Sequence, residues 1–202
     1  VSSGKSLIMY LYMRWLLENE PARTLLLIVP SVQLVYQLFK DFEDYAKEDD
    51  TFSVEDYVQI MHDDSVKEIT HPVAIANIQS IQKQPKTWFY SFTSVIHDEV
   101  HRAKAKTFKT SLENCIHADR RIGLTGTLDG VEVNKLTIEG LIGKIKDIIN
   151  IRELIDKNLA TELDIRMLIL KYPKHFIPNL KRGDYASEID FIAGVPERRE
   201  II

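Results

Sequence analysis

Between Arg23 and Pro30 the chain runs Thr24-Leu25-Leu26-Leu27-Ile28-Val29, an uninterrupted apolar stretch too short to cross a membrane. A half-exposed strand alternates polar and apolar residues, whereas a strand covered on both faces does not have to. The stretch therefore predicts a central strand with helices above and below it. Val73 to Ile78 (VAIANI), Thr93 to His97 and Arg121 to Leu124 repeat the pattern, and Tyr57 to Met61 is a weaker instance. The segments between them read as helices. Leu7 to Leu17 is almost wholly apolar and predicts a buried helix closing before Pro21. After Pro30, Ser31 is a candidate N-cap for a helix with Val32, Val35, Tyr36, Phe39, Phe42 and Tyr45 at helical spacing. Residues 47–56 read as a polar loop, and Gln79 to Phe89 as a helix. Strands alternating with helices in this way predict right-handed crossovers and a parallel sheet with helices on both faces.

Composition narrows the function classes. Of 202 residues, 45% are hydrophobic and 28% charged, which excludes a disordered or fibrous chain. No apolar run reaches the roughly 18 residues a membrane helix needs. The single cysteine, Cys115, excludes an internal disulfide framework and fits a reducing compartment such as the cytoplasm. A formal charge of −4 offers no bulk positive field for nucleic acid. Nucleic acid can still be held by backbone amides and a few polar side chains. The chain opens on Val1, and Pro196 to Ile202 reads as helix without a stop signal, so both ends are expected to lie inside a longer polypeptide. Lys5 ahead of Leu7–Met13 resembles a secretory leader only until Arg14 and Trp15, and no cleavage site follows. Beyond Asp129-Gly130 the texture changes. Ile148 to Ala160 is a helix candidate and Leu163 to Lys171 a strand, with Tyr185 onward helical. A domain boundary is expected near 147–152, dividing the chain into 1–150 and 151–202.

Four short segments carry chemistry. Ser2-Ser3-Gly4-Lys5-Ser6 opens a helix. Backbone amides at a helix N-terminus favour phosphate, a lysine can reach its outer oxygens, and a hydroxyl can ligate Mg²⁺. A Gly-Lys-Ser triplet alone also fits an ordinary loop. Asp98-Glu99-Val100-His101 ends a hydrophobic strand. Two adjacent carboxylates at a strand tip can hold Mg²⁺ and orient an attacking water, or they can simply be solvated. His97 and His101, four residues apart, evoke a zinc site, but that motif needs a helix. On a strand they would stand about 13 Å apart, too far to share a metal. Gly123-Leu124-Thr125-Gly126-Thr127 leads a strand into a hydroxyl-rich turn. Finally, Pro30-Ser31 with Gln37, and Gln79-Ser80, begin helices after parallel strands, at the edge where such sheets bind ligands. Plain N-capping accounts for these residues equally well.

The order of these segments is more specific than any one of them. It resembles motifs I, Ia, Ib, II and III of the superfamily 2 helicases, in their DExH branch. Gln79 to Phe89 (QSIQKQPKTWF), Gly123 to Gly130 (GLTGTLDG) and the 163–173 strand are further similar to phage recombination helicases. The resemblance covers nearly the whole chain. It implies a P-loop NTPase: a RecA-like first lobe over 1–150, lacking its leading strand, then a connector and the start of a second RecA-like lobe over 151–202. That leading strand is expected to be central in the sheet. The resemblance also implies ATP and Mg²⁺ as cofactors. Lys5 would bind the β/γ-phosphates, backbone at Ser2, Ser3 and Gly4 would cradle them, and Ser6 and Asp98 would hold Mg²⁺. Glu99 would be the general base. His101, Thr125, Gly126 and Thr127 would couple nucleotide state to movement, and Pro30, Ser31, Gln37, Gln79 and Ser80 would lie along the tracking strand. The implied activity is ATP-driven unwinding or remodelling of branched DNA, and of RNA–DNA hybrids, in recombination and repair, in the host cytoplasm if phage-encoded. The motor subunit of a restriction system, or a P-loop switch that does not unwind, are the alternatives. The arginine finger of such enzymes belongs to the second lobe, so the 202 residues alone are expected to be inactive.

Overall fold

The computed structural model describes residues 4–62, 68–100, 106–126, 132–146 and 151–156, together with Ile189 and Gly194. The chain divides into two compact units, Val1–Leu154 and Ile155–Ile202. In the first, helix α1 (Lys5–Asn19) precedes strand β1 (Leu25–Val29), helix α2 (Val32–Ala46), one turn of helix α3 (Val54–Tyr57), strand β2 (Val58–Met61) and strand β3 (Val73–Asn77). The short turns α4 (Ile78–Ile81) and α5 (Lys86–Phe89) lead to strand β4 (Ser94–His97). Helix α6 (Lys106–Asn114), strand β5 (Arg120–Gly123) and helix α7 (Glu132–Leu141) follow, and helix α8 (Ile151–Asp156) begins in the first unit and ends in the second. In the second unit, beyond the end of α8, the described residues are Ile189 and Gly194, both helical.

All five strands are parallel, in the order β2-β3-β1-β4-β5. β1 is the middle strand. Its odd positions, Leu25, Leu27 and Val29, face α1 and α2, where Met13, Leu16, Val35, Leu38 and Phe42 pack. Its even positions, Leu26 and Ile28, face the opposite layer, with Ile81, Phe89, Phe92, Leu112 and Cys115. None of the five is more than 2% exposed, which is why the sequence shows an unbroken apolar run. From β1 the chain moves to one side, to β2 and β3, and then crosses to the other side, to β4 and β5. The reversal falls between the carboxyl ends of β1 and β4, where sheets of this topology open a crevice.

Several local expectations are corrected. Gln79 to Phe89 is not one helix but two single turns separated by Gln82–Pro85. Pro85 has no N–H to donate and disfavours helical backbone at Gln84, so the first turn cannot propagate into the second. Helix α1 buries Met9, Tyr10, Met13 and Leu16, yet Leu7, Ile8, Leu11 and Trp15 are all more than 40% exposed. It is thus half-buried, where its composition predicted full burial. The polar stretch 47–56 holds the start of α3. Helices α6 and α7 were not anticipated, although Phe108, Leu112 and Cys115 stand at helical spacing. The expected strand 163–171 lies outside the described residues, as do parts of the 148–160 helix.

Candidate nucleotide site

Helix α1 starts at Gly4, whose φ of +68° lies in the left-handed region where a side chain is strained. No side chain caps this end, so the first-turn amides keep their donor capacity for a ligand. The Gly4 carbonyl accepts from Ile8 N at 3.0 Å, so the helix is fully wound from its first residue. Lys5 and Ser6 therefore project from a fixed helical turn with the positive end of the helix dipole behind them.

Opposite lies the tip of β4. The backbone N–H of Asp98 donates to the Ile28 carbonyl at 2.9 Å, and that of Val100 donates to the Leu124 carbonyl at 3.1 Å. Leu124 N in turn donates to the His97 carbonyl at 2.9 Å. These bonds pin both sides of Glu99, which takes φ +52°, a left-handed conformation that costs a non-glycine residue of the order of 1–3 kcal/mol. The turn also needs Gly123: a Cβ there would stand 2.8 Å from Val100 Cγ1 and 2.7 Å from Ile142 Cδ1. The missing side chain of Gly123 thus makes room for Val100, which is 2% exposed.

The Lys5 ammonium donates to Glu99 Oε1 and stands 3.7 Å from Asp98 Oδ1. Burial pushes the Asp98 carboxyl above its ordinary range, with Lys5 pulling it back down and Glu99 pushing further up. Asp98 Oδ1 is buried without a hydrogen-bond partner among the described residues. A buried carboxylate oxygen whose nearest cationic neighbour, the Lys5 ammonium, stands 3.7 Å away, in one cleft with a helix hydroxyl and an uncapped helix start, fits a hydrated divalent cation carrying a phosphate chain. Gly4, Lys5, Ser6, Asp98 and Glu99 line one cleft of about 540 Å³ between α1, α2 and the β4 tip.

His97 belongs elsewhere. It is buried in β4, its Nδ1 donates to the Asp98 carbonyl at 2.7 Å, and burial holds its pKa down to about 4. A neutral histidine on a strand, tied to the backbone, supports the positioning of Asp98 and does not form half of a helical zinc motif.

Among the other sequence-predicted residues, the structure groups some and separates others. Ser31 caps α2, its hydroxyl accepting from Leu34 N at 3.3 Å. Ser80 donates to the Asn77 carbonyl at 3.0 Å and the Met61 carbonyl at 3.3 Å, tying the ends of β2 and β3. Gln79 is exposed. Thr125 and Gly126 follow β5 directly, one residue beyond the Leu124 clamp on the β4 tip. Gln37, read from sequence with the nucleic-acid group, lines the cleft with Lys5 and Asp98. Ser2, Ser3, His101 and Thr127 lie outside the described residues. Sequence reasoning missed Asp41 and Tyr45, which line the cleft from α2. Their signal was present: Gln37, Asp41 and Tyr45 are spaced four apart, a single polar face on an otherwise amphipathic helix.

Comparison with known proteins adds family and fold. Residues 2–130 match the family model described as the type III restriction enzyme, res subunit (ResIII). The whole chain is 33% identical to the ATP-dependent DNA helicase UvsW of Enterobacteria phage T4, of which it spans 40%. A crystal structure of the bacteriophage T4 UvsW helicase superposes with a TM-score of 0.60 at 31% identity, over 72% of this chain and 51% of that one. The helicase domain of Hef from Pyrococcus furiosus shares the fold, with a TM-score of 0.56 at 18% identity, over 70% of this chain and 31% of that one. The RecA-like reading of the sheet is thereby borne out.

Proposed function

The chain belongs to the ResIII family, and from that premise we propose that it forms the nucleotide-binding part of an ATP-dependent DNA helicase or translocase. The observation that carries this reading is the convergence in one cleft of Lys5, on an uncapped helix start, with Asp98 and Glu99 at a strand tip 93 and 94 residues later. ATP with Mg²⁺, when bound, supplies the phosphoryl group to be transferred. Lys5 and the first-turn amides of α1 hold the phosphate chain, and Ser6 and Asp98 hold the cation. Glu99 accepts a proton from the attacking water. Its pinned, left-handed backbone keeps that carboxylate in place without a rearrangement at the moment of reaction.

Residues 1–150 constitute a first RecA-like lobe in this reading, and 151–202 a connector and the start of a second. Thr125 and Gly126, with His101 and Thr127, transmit nucleotide state to the track. Pro30, Ser31, Gln79 and Ser80 stand at the carboxyl edge of the sheet, where a single DNA strand would lie with its backbone toward them. Gln37 is reassigned to the nucleotide side. Branched DNA is the preferred substrate class, with RNA–DNA hybrids a second one, in the cytoplasm of a host cell for a phage-encoded enzyme. Among the described residues no helix is long and apolar enough to cross a membrane.

DNA-stimulated ATP hydrolysis by the full-length protein, beside its Glu99→Gln variant, tests the proposal. Stimulation lost in the variant supports it. Nucleotide binding with no DNA-stimulated turnover in the parent would leave a P-loop switch. The family description also favours a second reading, the motor of a restriction system. A nuclease or methylase-binding domain elsewhere in the full-length protein would establish that one instead.

A further inference from the structure

The proposed roles above leave two polar side chains of the cleft wall unused, Asp41 and Tyr45. Helix α2 presents Gln37, Asp41 and Tyr45 toward α1, and Tyr45 reaches across to place its hydroxyl 2.8 Å from Ser6 Oγ. Tyr45 is itself held: its ring lies 5.5 Å from that of Tyr10, which is buried in the core between α1 and α2. Resting on the reading of this cleft as a nucleotide site, we propose that Tyr45 is a positioning residue for the cation-binding hydroxyl of Ser6.

The argument is one of hydrogen-bond capacity. A serine hydroxyl has one proton and two lone pairs, and on a helical turn it can rotate between staggered positions. To serve a cation and a phosphate together it must offer one lone pair to the metal and its proton to a phosphate oxygen. The second lone pair is then the only one left, and an O–H donor from outside the ligand can fill it. Tyr45 is such a donor. Its phenol comes from a different helix from Ser6, so the bond fixes the rotamer without being part of the same turn. The Tyr45→Phe variant would keep the ring against Tyr10 and remove only the donor. Ser6 would then be free to rotate, and the cation would lose an oriented ligand while Lys5 and the α1 amides kept theirs.

The test is equilibrium binding of a fluorescent, non-hydrolysable ATP analogue to the full-length protein, titrated with Mg²⁺ and repeated in EDTA. For Tyr45→Phe the Mg²⁺ concentration giving half-maximal enhancement should rise about three- to tenfold, the range one lost neutral hydrogen bond covers. Affinity in EDTA should match the parent, and the melting temperature should be unmoved. In a Ser6→Ala background, adding Tyr45→Phe should change the Mg²⁺ dependence no further, since the two residues act through one hydroxyl. An unchanged Mg²⁺ midpoint in Tyr45→Phe overturns the proposal. So does an equal loss in EDTA, which would put Tyr45 on the nucleotide or the fold, and so does an additive double variant. A parent protein that binds no analogue under any condition overturns the nucleotide reading along with it.

Discussion

Replacing Glu99 by Gln separates binding from chemistry at this site, and the structure sets the sign of both effects. Glutamine tolerates the left-handed φ of +52° as well as glutamate does, and the backbone clamps on Asp98 and Val100 are untouched, so the turn should keep its shape. What changes is Lys5. Its ammonium donates to Glu99, both groups being partly buried at 16% and 26% exposure. A phosphate chain must take Lys5 away from that partner. The ammonium can still donate to a glutamine oxygen, so what the variant loses is the attraction of the opposite charge, roughly 0.2–1 kcal/mol for a partly exposed pair, and the amide lowers this competition by up to about 1 kcal/mol. That is a gain of up to about fivefold in nucleotide affinity. Turnover moves the other way. A positioned base contributes about 10²–10⁴ in rate, and glutamine cannot accept the proton. The assay is analogue binding by fluorescence beside DNA-stimulated phosphate release, on parent and variant of the full-length protein. Turnover within a factor of two of the parent would refute the role of Glu99. A tenfold loss of affinity would refute the competition between Glu99 and phosphate for Lys5.

Lys5→Ala should weaken nucleotide binding by about 10- to 100-fold, the worth of a charge-assisted contact, as checked by the same titration. Gly123→Ala should destabilise by about 1–3 kcal/mol, because its Cβ displaces Val100 and Ile142; urea unfolding would show the loss, with hydrolysis falling as Glu99 shifts. Burial pushes the Cys115 thiol up to about 12, so dithionitrobenzoate at pH 8 should label it slowly in buffer and rapidly in urea. Its folded pKa lies above the ordinary value of 9.0, so the folded state binds that proton more tightly. This contribution is therefore complete below pH 9 and is lost as pH rises toward 12. Urea midpoints measured from pH 8 to 11 should fall more steeply in the parent than in Cys115→Ala.

Where packing on the sheet decides conformation, the sequence was legible. Thr24–Val29, Val73–Ile78 and Thr93–His97 can be covered on both faces and little else, and each is a strand to within a residue at its ends. Ser31 was legible as a cap because its hydroxyl answers a purely local need, the open amide of Leu34. Helix 79–89 failed for an equally local reason, since the apolar spacing was weighed without the break at Pro85. Helices α6 and α7 were missed because their apolar residues are sparse among lysines, glutamates and threonines. Their pairing with the far face of the sheet is a tertiary fact. The site divides in the same way. Lys5, Asp98 and Glu99 could be picked out because each carries its chemistry in its own motif. Gln37 was grouped with nucleic acid because it follows Pro30-Ser31, but which side of α2 it occupies depends on how α2 lies against α1.

That dependence explains why the cleft is assembled as it is. Lys5 comes from a helix start, Asp98 and Glu99 from a strand tip, and Tyr45 from the last turn of a second helix. Each is carried on a rigid element whose other face is sealed in the core, through Met13 and Leu16, Ile96, and Phe42. A ligand that draws Lys5 off Glu99 therefore meets little slack in α1 and little in the β4 tip, where Glu99 is already held in a strained conformation. The exit of β5 is joined to the tip by the backbone bonds of Leu124 with His97 and Val100 and leads to Thr125 and Gly126. Nucleotide-driven displacement should thus be transmitted along β5 toward residues 125–126. Hydrogen exchange on the full-length protein with and without the ATP analogue addresses this. Amide protection should change at Leu124–Gly126 while Leu26–Ile28 in β1 stay constant, and equal changes in both segments would remove β5 as the transmitting strand.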